Sequence, residues 1–276
     1  MSDITKNMLL WTLAILLTIG MAIYQRTTGP TWPVSGEVTI GNNSVGFKLL
    51  RSHGGEGGAP VSVVVKDKTV TGTVTYKRYK SFDTLMTVAM KRNGDTLLMK
   101  LPHQPPAGKV EYTVVLRKGN KAYKLSDEPV VLRFKGAVPP GILVPHIFFM
   151  FFSMLFGMRV LLELFTGGDK SLFYAKIITV CVFIGGLILG PIVQKYAFGA
   201  YWTGWPFGHD MTDNKTLFMF IFWVIAWWRL KKNPVNKVWP LIAVIVMFAV
   251  YLVPHSTMGS EIDYTKQPVK AEYLKP

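Results

Sequence analysis

Residues 142–158 read ILVPHIFFMFFSMLFGM, seventeen positions without a formal charge, entered through Pro139-Pro140-Gly141 and left through Arg159. At ~1.5 Å rise per residue the run approaches the ~30 Å hydrocarbon thickness of a bilayer, and continuing from Val160 to Phe165 completes a crossing. The stretch therefore reads as a transmembrane helix. It also divides the chain. Residues before it are mostly polar and β-patterned, and residues after it are mostly apolar helix.

Working outward toward the N-terminus, residues 31–134 change to a period of two. Short runs rich in Val, Thr and Tyr lie at 34–40, 45–50, 61–65, 70–76, 85–89, 96–100, 110–117, 121–125 and 130–134. Gly41-Asn42-Asn43, Asn93-Gly94-Asp95 and Lys118-Gly119-Asn120 separate them with turn chemistry. That number of strands in about 100 residues is what a two-sheet sandwich needs. The chain carries a net charge of +15, and residues 25–138 hold 18 Lys and Arg against 8 Asp and Glu. These are spread over strands and turns with no arginine-rich run and no aromatic-basic alternation, so the basicity points to anionic lipid head groups and not to nucleic acid. The one cysteine, Cys181, falls in an apolar segment, which rules out an intramolecular disulfide.

Part of this region resembles a known module. Val74, Tyr76-Lys77-Arg78, Val88-Ala89-Met90, Asn93-Gly94-Asp95, Leu101-Pro102, Gln104-Pro105-Pro106-Ala107-Gly108 and Val110-Glu111-Tyr112 are similar to the immunoglobulin-like modules appended to many bacterial secreted proteins. The resemblance covers about 40 residues. It implies a fold and a role as spacer or interaction surface, with no catalysis.

The remaining apolar segments fill out a membrane domain. Residues 8–24 are uncharged and are followed by no small-x-small cleavage site, so they read as an uncleaved signal anchor. Further spans are expected at 177–193, with Gly186 and Gly190 at close-packing spacing, at 217–228 and at 238–253. Residues 159–176 hold three basic residues and 229–237 four, against two in 194–215, which places the dense clusters in the cytoplasm. The expected fold class is thus a membrane α-helical bundle of about five transmembrane helices with an inserted all-β immunoglobulin-like sandwich. Its parts are an anchor (1–28), a periplasmic sandwich (29–138), a four-helix membrane domain with an aromatic periplasmic loop at 194–216 (139–254), and a polar tail (255–276). The N-terminus is cytoplasmic, and the sandwich and tail are periplasmic, in a bacterial inner membrane.

This topology gathers chemistry on one side. His146, His209 and His255 converge there with Asp210 and Met211, and Met258, Glu261 and Asp263 lie nearby, a donor set suited to copper or zinc. His146, Met150, Met154 and Met158 recur every four residues, but such steps drift around a helix, so packing explains the methionines better than a metal relay. The loop QKYAFGAYWTGWPFGHDMTDNKT, residues 194–216, is dense in aromatics. Tyr201, Trp202, Trp205, Phe207 and Asp213 form an expected partner-docking surface, with Asp213 also placed to cap the following helix. The His53-Gly54-Gly55-Glu56-Gly57-Gly58 run lacks the Lys-Ser/Thr of a phosphate loop and reads as a flexible sandwich loop. Arg159 and Glu163 read as a snorkelling i, i+4 pair. The loop together with Pro254-His255-Ser256-Thr257-Met258-Gly259-Ser260-Glu261 is similar to a family of bacterial polytopic membrane proteins with an immunoglobulin-like periplasmic sandwich, a likeness that brings no activity. The function expected is a non-enzymatic accessory or scaffold subunit of an envelope complex, whose partners are the bilayer and other membrane or periplasmic subunits. The alternatives are copper or zinc handling at the periplasmic face, and a membrane enzyme using His209 and Asp210.

Overall fold

The computed structural model describes residues 2–253 and 261–266, which form two compact units. One is helical and gathers residues 2–30, 138–196 and 200–253; the other is β-rich and gathers 31–137, 197–199 and 261–266.

The β unit holds eleven strands: β1 (Val34–Ile40), β2 (Asn43–Leu49), β3 (Ser52–Gly54), β4 (Ala59–Val64), β5 (Thr71–Arg78), β6 (Met86–Ala89), β7 (Lys91–Asn93), β8 (Thr96–Leu101), β9 (Lys109–Lys118), β10 (Lys121–Lys124) and β11 (Val130–Lys135). One sheet runs β1-β2-β4-β8-β7. The other runs β3-β11-β9-β5-β6, with β10 also on β9. Every pairing is antiparallel except β3 with β11. Alternation does the folding work: along β9 each second residue, Val110, Tyr112, Val114 and Leu116, is buried against a core shared with Val61, Val63, Leu97 and Leu101 of the other sheet. Tyr112 stays satisfied in that core because its hydroxyl donates to the Leu50 carbonyl at 2.8 Å. At the three hairpin turns Gly41, Gly94 and Gly119 take the first central position with φ of 64°, 57° and 55°, a conformation that favours glycine.

All nine expected strands are present. Two short ones are additional, and one corrects an expectation. His53 lies in strand β3, registered against Phe134 of β11 with its ring edge-on to that phenyl at 5.7 Å, so the loop begins only after Gly54.

The helical unit contains α1 (Asp3–Thr28), α2 (Pro140–Thr166), α3 (Ser171–Val182), α4 (Gly190–Phe198), α5 (Met211–Lys232) and α6 (Val238–Leu252). A π-helical stretch, Phe183–Leu189, joins α3 to α4, so the described residues present five separate rods. Three of them, α1, α2 and the continuous Ser171–Phe198, are long and apolar enough to cross a membrane; α6 is apolar but shorter. Helix α2 is central and packs on α1, α3, the π segment and α6. Its core partners include Ile178, Trp223, Leu230 and Met247. Glycine permits the close approaches. A Cβ at Gly157 would lie 2.6 Å from the Met247 sulfur, and one at Gly186 would lie 2.6 Å from the Thr216 methyl. The close pair is Gly185-Gly186 and not the expected Gly186 with Gly190, because Gly185 is the residue that abuts Phe149. Met154 and Met158 are buried, as packing predicts.

Arg159 and Glu163 differ most from expectation. They form an ion pair, yet each is only 3 % exposed, so neither reaches for solvent. The reason is coverage from distant sequence. Asn7 of α1 accepts a hydrogen bond from Arg159 Nη2 at 2.9 Å, and Trp11 and Tyr174 place their rings 5.6 and 5.4 Å from the guanidinium. Glu163 in turn accepts the Lys170 amide at 3.1 Å. Lys6 donates to the Thr166 carbonyl at 3.1 Å, so α1 is tied to the same end of α2.

Candidate docking site

The site is the turn between α4 and α5. Helix α5 starts at Met211, six residues before its apolar run, because Asp210 caps it: the carboxylate accepts the Thr212 amide at 2.8 Å. Asp213 was the expected cap and is not. It sits in the first turn of the helix and reaches back into the loop, where Oδ2 accepts the amides of Thr203 at 2.6 Å and Gly204 at 3.0 Å and the Thr203 hydroxyl at 3.3 Å. A carboxylate in the first turn is also favoured by the helix dipole.

Neighbouring groups complete the bracket. Asn214 Oδ1 accepts the Trp205 amide at 2.6 Å, and Gln194 Nε2 donates to the Thr203 hydroxyl at 2.7 Å. The Thr203 carbonyl accepts the Asp210 amide, and the Gly204 carbonyl accepts those of Phe207 and Gly208, each at 2.9 Å. A Cβ at Gly204 would stand 2.6 Å from that of Asp213, so only glycine lets the strand of loop lie this close to the helix. The peptide between Trp205 and Pro206 is cis. Trp202 donates its indole N–H to the Trp205 carbonyl at 3.0 Å.

Against this pinned backbone three large aromatic side chains point outward. Tyr201 is 59 % exposed, Trp205 68 % and Phe207 83 %. Lys195 lies 5.4 Å from the Tyr201 ring centroid. Of the five residues expected to dock a partner, these three are exposed, Trp202 is half-buried, and Asp213 is buried and holds the loop backbone. Asn214 and Gln194 were missed from sequence as loop-holding groups.

The expected metal ligands do not assemble in the same way. His146 lies in α2 and donates Nδ1–H to the Gly185 carbonyl at 2.8 Å; that carbonyl also accepts the Gly190 amide across the π-helical stretch. His209 and Met211 are exposed, while Asp210 is occupied as a helix cap. His255 and Met258 lie outside the described residues. Among the described residues no three His, Cys, Asp or Glu side chains gather as a metal ion requires.

Comparison of the chain with protein-family models, with curated proteins and with solved structures finds no match.

Proposed function

We propose that this chain is a non-enzymatic integral membrane protein of the bacterial inner membrane, an accessory subunit that docks another envelope protein through the α4–α5 turn. The observation that carries the reading is the pairing of three exposed aromatic rings with a backbone fixed by Asp213 and Asn214. Exposed aromatics on a rigid frame bind with little loss of conformational freedom, and Tyr and Trp are enriched where interfaces hold most tightly.

Chain connectivity supports the membrane topology. The chain leaves the β unit after Ala137, rejoins it at Ala197–Gly199, leaves again and rejoins it at residue 261. Gly136 donates its amide to the Ala197 carbonyl at 3.0 Å, and the Arg133 guanidinium lies 3.9 Å from the Phe198 ring centroid. A β unit confined to one side of the bilayer demands an even number of crossings in each excursion. The first contains α2 and Ser171–Phe198. In the second, α5 and α6 cross together or not at all, and their shared core around Trp223, Leu230 and Met247 favours crossing. With α1 the total is five, which agrees with a cytoplasmic N-terminus and a cytoplasmic Arg229–Lys237 cluster.

We also take the β unit to be immunoglobulin-like. The sequence β2-β4-β8-β7 corresponds to the order A-B-E-D, and β11-β9-β5 to G-F-C, with β6 as an added C′ strand. The inter-sheet disulfide of antibody domains has no counterpart, since Cys181 is helical.

A photo-crosslinking amino acid placed at Phe207 in native membranes tests the docking reading. A discrete protein adduct, weakened by Asp213→Ala, is expected. Labelling of lipid alone would refute it.

A further inference from the structure

A second surface lies wholly within the β unit, where residues 261–266 seat on the sandwich. Glu261 bridges two lysines, with Oε1 2.7 Å from Lys80 Nζ and Oε2 2.6 Å from Lys109 Nζ. Three residues on, Tyr264 is buried. Its hydroxyl donates to Gln104 Oε1 at 3.0 Å, and its ring lies 4.5 Å from the Arg78 guanidinium. Arg78 is itself held by Asp83, with both hydrogen bonds at 2.7 Å, so the cation offers a fixed plane to the ring. The floor is glycine for a reason: a Cβ on Gly108 would lie 2.5 Å from the Tyr264 hydroxyl.

The backbone is strained in the same place. Among the described residues only two that are not glycine have positive φ, Lys80 at 54° and Ala107 at 71°. One carries an ammonium of the carboxylate clamp, and the other adjoins the glycine floor. Left-handed backbone at lysine and alanine is costly, and such strain collects at sites that grip a ligand.

We propose that this is a peptide-recognition slot that reads an acidic residue and, three positions later, a tyrosine, and that the chain's own Glu261 and Tyr264 fill it in exchange with an acidic-x-x-tyrosine segment of a partner protein. The two anchors differ in kind. The phenol is enclosed and gives affinity, whereas the carboxylate clamp, with Lys80 exposed and Lys109 largely covered, gives register. A tethered tail competes at about millimolar effective concentration, so an outside segment gains access when the tail is absent or outcompeted.

The test uses the full chain in nanodiscs and a fluorescent peptide of residues 259–267, GSEIDYTKQ. The double variant Glu261→Ala/Tyr264→Ala empties the slot without removing chain. It should bind the peptide saturably, at least about tenfold tighter than the unaltered chain does, in keeping with loss of a tethered competitor. Adding Lys80→Glu and Lys109→Glu should abolish binding of that peptide and create binding of one carrying Glu261→Lys. In a second measurement, excess peptide should accelerate amide exchange over residues 261–266 of the unaltered chain. Equal binding of a scrambled peptide, failure of the charge swap, or exchange indifferent to peptide would overturn the proposal.

Discussion

Replacing Asp213 by alanine isolates the bracket that holds the aromatic turn. The carboxylate accepts two amides and a hydroxyl from residues 203 and 204. Hydrogen bonds to a charged group contribute about 1.5–3 kcal/mol each, and a buried amide left without a partner costs about 1–3 kcal/mol. Thr203 is half-buried, so water replaces much of what it loses, while Gly204 is buried and recovers little. The net cost to the closed turn is therefore about 3 kcal/mol, which corresponds to roughly a 100-fold rise in its open population. Hydrogen exchange followed by mass spectrometry in nanodiscs reads this directly: exchange at residues 203–205 should accelerate by about that factor while β9 amides keep their protection. Asp213→Asn retains an acceptor without the charge and should fall between, at about 1 kcal/mol. An acceleration below about tenfold at Gly204, or an equal one at β9, would show that the turn does not depend on this carboxylate.

Other outcomes rest on the same geometry. Glu163→Ala strands the buried Arg159 and should cost about 3–5 kcal/mol in thermal unfolding, whereas Arg159→Met with Glu163→Leu should restore most of it; equal damage from both would mean that burial of the pair is not what matters. Gly186→Ala pushes a methyl against Thr216 and should cost about 1–3 kcal/mol, largely relieved by Thr216→Ser, as measured by melting midpoint. Leu116→Ala empties a fully buried position between the two sheets and should lower the stability of the β unit by about 2–5 kcal/mol in denaturant titration. The Arg78 hydrogen bonds hold the Asp83 carboxyl below its ordinary value of 3.8, outweighing the burial that raises it. A carboxyl depressed in the folded state stabilises above its unfolded value and loses that contribution as pH falls through the folded one. Stability of the β unit should thus decline below about pH 4, and Asp83→Asn should flatten that decline.

The strands were legible because short runs rich in valine, threonine and tyrosine alternate with turn residues, and the helices because apolar runs are long. What escaped was set by partners far along the chain. Ser52–Gly54 and Lys91–Asn93 have no apolar alternation, and they are strands only because β11 and β8 present open edges to them. An Arg and a Glu one turn apart look alike on a lipid-facing or an enclosed helix face, and Asn7, Trp11 and Tyr174 decide which. Two aspartates stood close enough to cap α5, and spacing alone did not say which would cap and which would reach back to Thr203. The seating of Glu261 leaves no trace in local sequence, since its two lysines lie 181 and 152 positions upstream.

That separation fixes an order of events during biosynthesis. The residues that close the slot are translated after every helix among the described residues, so the sandwich is made with its tyrosine position vacant. Glu261 and Tyr264 arrive at Lys80, Lys109 and Gln104 only once the ribosome has passed α6. Their docking therefore reports that all of α1 to α6 have been translated.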